Sequence, residues 1–168
     1  MSAVSELMSK KNVVSIQSNS EITALDISKL MVKNKVGSVL VLDSANLPIG
    51  IITERDIIKK VCVTNTLPNE MKADKIMSSP VITIMSYDSI ETAAQKMTHY
   101  KIKRLPVLEE NQQIASILSL TDITKHLSKI LVDDYKRFRF LKSIFESDWD
   151  YYSSLFYLLY QVLHLVII

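Results

Sequence analysis

The stretch GIITERDI, residues 50–57, reads as a short apolar strand running into a charged helix start. Thr53 stands at the junction and Asp56 follows three residues later. A hydroxyl at the N-cap with an acid three positions on forms a capping box, here with aspartate in place of the usual glutamate or glutamine. The same pair can also bind a ligand. A helix N-terminus offers unpaired N–H groups and a partial positive charge, which favour phosphate. A carboxylate one turn in can accept both hydroxyls of a ribose. Both readings use one geometry, so the tetrapeptide alone does not choose between them.

The chain carries this corner twice. Shifted by 66 residues, LMVKNKVGSVLVLD (30–43) falls on KMTHYKIKRLPVLE (96–109), and GIITERDI falls on SILSLTDI (116–123). From Met31 to Lys60, 8 of 30 positions are identical across the shift, and Thr53 meets Ser119 while Asp56 meets Asp122. Upstream, LMSKKNVVSI (7–16) resembles IMSSPVITI (76–84). Two copies are too few for a solenoid, so they are expected to share one core as a pseudo-symmetric pair.

Each copy predicts the same order of elements. VVSI (13–16) and VITI (81–84) are short extended runs. Residues 21–33 and 89–99 place apolar side chains at helical spacing, with Ile22, Leu25, Leu30 and Met31 in one and Ile90, Ala93, Ala94 and Met97 in the other. Ser20 and Asp88 are candidate N-caps. SVLVL (38–42) and LPVL (105–108) are strands, DSAN and EENQ are polar turns, and GIIT and SILS are second strands. A helix then starts at Glu54 or Leu120. The expected class is α+β, β-α-β-β-α twice, with strands apolar enough to be covered on both faces.

Composition narrows the function. A net charge of +2 shows no basic excess for a nucleic-acid partner. One cysteine, Cys62, rules out an intramolecular disulfide and fits a reducing, cytoplasmic setting. The opening MSAVSELMSKK has no apolar h-region. Three scattered histidines suggest no metal site. Gly37 and Gly50 are the only glycines, so neither a Walker loop nor GxGxxG can be built. No nucleophile–base pair or carboxylate dyad stands out, which favours binding over catalysis.

KVGSVLVLD…PIGIITERDI and KIKRLPVLE…IASILSLTDI together resemble a tandem pair of CBS domains, also called a Bateman module, over residues 4–128. The resemblance implies repeats at 4–66 and 73–128, with residues 129–168 a helical C-terminal extension outside it. It also implies a stand-alone regulatory module, not an enzyme, that needs no cofactor. Such modules bind adenine nucleotides (AMP, ADP or ATP) or an adenosyl ligand such as S-adenosylmethionine in clefts between the repeats, and commonly form homodimers. Carried onto these positions, Asp122, Ser119 and Thr121 would face Val14, Val36 and Gly37 in one cleft. Asp56, Thr53 and Arg55 would face Ile82, Ile102 and Lys103 in the other, and Ile51 and Ile117 would flank the hydroxyls. Lys103 and Arg104 would lie near the phosphates. Taken singly, these aliphatic residues read as core, Arg55 as a solvated cation, and Lys103 and Arg104 as a charged strand edge. Copy two departs from the pattern at Ala115-Ser116, where copy one has Ile49-Gly50.

Three functions follow as candidates: a ligand-sensing module for a regulated protein not yet named, a structural dimerisation module whose corners are only caps, and a nucleotide hydrolase. The tail YYSSLFYLLYQVLHLVII (151–168) has no charged residue. As a helix it would be about 27 Å long, just short of a bilayer core, and either packs on protein or anchors the module to a membrane.

Overall fold

The computed structural model describes residues 3–8, 13–18 and 21–144. The chain divides into two units between Ser119 and Leu120. The first holds two three-stranded sheets of one design. Strands β1 (Ser15–Gln17), β2 (Ser38–Leu42) and β3 (Pro48–Thr53) form one sheet in that order. Strands β4 (Ile84–Met85), β5 (Arg104–Leu108) and β6 (Ile114–Ser119) form the other. In each, the first pair is parallel and the second is an antiparallel hairpin.

The hairpins keep the 66-residue register residue for residue. Ser38 pairs with Thr53, and Arg104 with Ser119. A bulge falls at Val41/Leu42 and again at Val107/Leu108. Asn46 and Gln112 both turn with positive φ, 62° and 64°. In the first turn the Asp43 side chain accepts from the N–H groups of Ala45 and Leu47, the local bonding that makes aspartate a good turn residue. All five residues of β2 are buried, as a run of alternating valine and leucine covered on both faces should be.

Helix α1 (Ala24–Asn34) lies between β1 and β2, and α4 (Ile90–His99) between β4 and β5; α2 (Glu54–Ile57) runs on into a π turn at Ile58–Cys62. Their N-caps are Thr23 and Ser89, three residues and one residue later than the sequence suggested. The cap at Thr23 is the better built because Asp26 sits at the third position and closes a capping box. The buried stripes are Ala24, Ile27 and Met31 in α1 and Ile90, Ala93 and Met97 in α4, again 66 residues apart. Leu25 lies about 120° around the helix from Met31 and is exposed, so it does not join the core as expected.

The two copies meet through a cluster of their own. Leu40, Leu42 and Ile51 from copy one pack with Val81, Ile114 and Ile117 from copy two. The first residues of each copy reach across to the other. Val4 and Ser5 donate to the carbonyls of Asp88 and Ser86, and Val4 is fully buried. Ala73, which opens the short helix α3 (Ala73–Ile76), donates to Ile22, and Ala24 donates to Met71. In the second unit, α5 (Leu120–Ile144) is one long helix with Asp122 in its first turn. No helix among the described residues is long and apolar enough to cross a membrane. The apolar tail 151–168 lies outside the described residues.

Candidate functional site

The corner at Thr53 closes on itself. Its N–H and hydroxyl both donate to one oxygen of Asp56, at 2.8 and 2.6 Å, and the Asp56 N–H returns to the hydroxyl at 3.3 Å. The other Asp56 oxygen accepts from the Ser78 hydroxyl at 3.1 Å. Three donors already serve this carboxylate. The box at Thr23 and Asp26 has the same three bonds, at 3.0, 2.6 and 3.4 Å, in a helix for which no ligand was expected. Reciprocal bonding between hydroxyl and acid is therefore the ordinary capping arrangement and does not by itself mark a ligand site.

The opposite corner borders open space. A cavity of about 340 Å³ is lined by Val13, Val36, Gly37, Ser38, Ile117 and Ser119, with Asn34, Lys35 and Arg104 around them. Its volume falls within the range of small-molecule sites. It draws on both copies: residues 13–38 belong to the first and 104–119 to the second. Val36 and Ile117 supply apolar wall, while Ser119 and Arg104 supply a hydroxyl and a cation, side by side because the two residues pair across β5 and β6.

Arg104 reaches over the backbone of Gly37. Its Nη2 lies 3.8 Å from Oε2 of Glu54, the first residue of α2. A Cβ on residue 37 would crowd the Arg104 Nη2 and come within 2.8 Å of the Glu54 carboxylate, so glycine leaves room for this crossing, and a larger residue would push both flexible side-chain ends aside. Gly37 has an ordinary negative φ, and close approach is what it provides. On the far side lies a larger cavity of about 500 Å³, bordered by Glu54, Val32 and Ile58. Lys35, Val36, Gly37 and Arg104 border both cavities.

Of the residues singled out in the sequence, Val36, Gly37, Arg104, Ile117 and Ser119 share the smaller cavity. Val14 packs against the core of copy one, and its neighbour Val13 borders the cavity instead. Adjacent residues of an extended run point to opposite faces, and nothing in VVSI says which valine points inward. Ile51 is buried in the cluster between the copies. Ile82 and Ile102 are half-buried, Arg55 and Lys103 exposed. Thr121 and Asp122 occupy the first turn of α5 in the second unit. Lys35, Ser38 and Glu54 escaped the sequence reading. Ser38 is the positional counterpart of Arg104, a signal that was available. Among the described residues no three of His, Cys, Asp and Glu gather as metal ligands.

Comparison with known proteins agrees with this geometry. Residues 4–62 and 73–129 match the CBS domain. An uncharacterized protein of Methanopyrus kandleri is 34% identical over 120 residues, which are 70% of this chain and 61% of that protein. The chain thus spans less than two thirds of that relative's length. A CBS domain protein from Pyrobaculum aerophilum, solved in complex with AMP, is similar with a TM-score of 0.64 at 26% identity, over 72% of this chain and 89% of that one. A CBS domain pair solved with 5′-methylthioadenosine and S-adenosyl-L-methionine gives 0.63 at 26% identity, over 75% and 99%. With two matched segments folded on one topology in one register, the chain belongs to the CBS domain family as a tandem pair.

Proposed function

We propose that this chain is a regulatory module that takes an adenine nucleotide, or a related adenosyl ligand, in the cavity at Ser119. The carrying observation is the cavity itself: about 340 Å³, apolar at Val36 and Ile117, polar at Ser119 and Arg104, and built from both repeats. The likeness to CBS proteins holding AMP, S-adenosyl-L-methionine and 5′-methylthioadenosine supports the choice of ligand class. A ligand that touches both copies stabilises the packing it binds best, and that difference in affinity is what a regulated protein would read. A homodimer, placed in the cytoplasm, completes the reading.

Thermal melts with AMP, ADP, ATP and S-adenosylmethionine test it. At a hundred times its dissociation constant a ligand adds about 2.7 kcal/mol of stability, which is readily seen as a shift. A shift with none of the four would overturn the proposal.

A second reading, a structural module without a physiological ligand, draws on the first corner. There Thr53 and Asp56 satisfy each other as a plain cap does. Flat melts together with a stable dimer would favour it.

A further inference from the structure

We propose that Glu54 is a built-in competitor for Arg104 and so sets how strongly the Ser119 cavity prefers anionic ligands over neutral ones. This deepens the nucleotide reading above and rests on it.

Arg104 borders the smaller cavity, yet its guanidinium is paired in the other direction, toward Glu54 across Gly37. Of these two cavities Glu54 borders the larger and not the smaller. One cation thus stands between two anion positions: a fixed one on α2, and one that a ligand's phosphate would bring into the cavity. The existing pair is weak. Its contact is long at 3.8 Å, and the Glu54 side chain is 66% exposed, where solvent screens most of the attraction. A phosphate can offer the guanidinium two parallel, charge-assisted hydrogen bonds, which are stronger than one loose contact. An anionic ligand therefore draws Arg104 off Glu54, and the lost pair is subtracted from its affinity. A neutral ligand such as adenosine leaves the pair intact and gives up nothing. Lys35 borders both cavities, so an anion meets positive charge on arrival.

The test is titration calorimetry with adenosine and with AMP on the full chain and on Glu54→Gln, Arg104→Gln and the double variant. Unliganded melts confirm that each is folded, and Glu54→Ser serves as a second charge-removing variant. Removing the competitor is expected to tighten AMP about two- to five-fold, the ceiling for so exposed a pair, and to leave adenosine unchanged. Arg104→Gln is expected to weaken AMP by about tenfold or more, and in its presence Glu54→Gln should bring no gain. An unchanged ratio of AMP to adenosine affinity in both Glu54 variants would overturn the inference while leaving the nucleotide reading intact. So would a gain that survives in the double variant, because Glu54 would then act on the ligand directly. Failure of the wild-type chain to bind either ligand would overturn the nucleotide reading and this inference together.

Discussion

Lys35 and Lys101 end equivalent helices in the same left-handed conformation, with φ of 54° and 53°. The two lie 66 residues apart, so the duplication extends to a backbone state that few residues other than glycine or asparagine adopt readily. In both copies the next residue donates back into the helix, Val36 to Met31 and Ile102 to Met97, which ties the turn to the strand behind it. The conformation is held by position, because lysine has no preference for it.

Lys101→Gly should therefore stabilise the protein. Glycine removes the left-handed cost at a site where helices favour it, but adds freedom to the unfolded chain. We expect a net gain of about 0.5–1 kcal/mol, read as a higher urea midpoint at unchanged slope. Lys101→Val should act in the opposite direction by about 1 kcal/mol or more. A neutral result for both would mean that the turn relaxes to another backbone state on substitution.

The box at Thr23 gives the fold a defined acid sensitivity. The Asp26 carboxyl is held below its ordinary value of 3.8, first by the Thr23 hydroxyl and then by the Thr23 N–H. A lowered carboxyl stabilises the folded state above its unfolded value and loses that contribution as pH falls through the folded one. The difference in melting temperature between wild type and Asp26→Asn should be full at about pH 6 and shrink steadily below about pH 4. A difference that does not change with pH would assign the effect to hydrogen bonding alone.

The crossed first residues of each copy predict that the copies are not independent. Val4 opens copy one in sequence and is fully buried, while its N–H donates to the Asp88 carbonyl of copy two. Val4→Ala should cost about 2 kcal/mol through two lost methyl groups and the space they leave. A chain starting at residue 73 should be destabilised further, because copy two then lacks the contact that Val4 supplies. Equal stability of the two chains in denaturant would place Val4 outside the cooperative core.

How much of this was legible in the sequence depends on range. SVLVL and the hairpin at Asn46 are local, and a β-branched run followed by a polar turn specifies both. The start of α1 was legible in principle. Ser20 and Thr23 are both cap residues, and Asp26 three places beyond Thr23 decides between them. β4 was not: VITI suggested a strand at 81–84, but only Ile84 and Met85 pair, since the ladder forms where β5 offers Val107 and Leu108. The pairing of Arg104 with Glu54 was beyond reach. The two are 50 residues apart in different copies, and neither is unusual in its own neighbourhood. Only the fold brings them over Gly37.

The two corners should part company under mutation. Thr53 caps a helix and borders neither cavity, so Thr53→Ala should cost about 1 kcal/mol of stability and leave nucleotide affinity within about two-fold. Ser119 borders the cavity beside Arg104, so Ser119→Ala should weaken AMP by about three- to tenfold, the worth of one hydrogen bond to a charged oxygen. Calorimetry and urea titration on the same two variants separate the effects. If Thr53→Ala loses the nucleotide and Ser119→Ala keeps it, the ligand sits in the other cleft, and the Thr53 box must open to receive it.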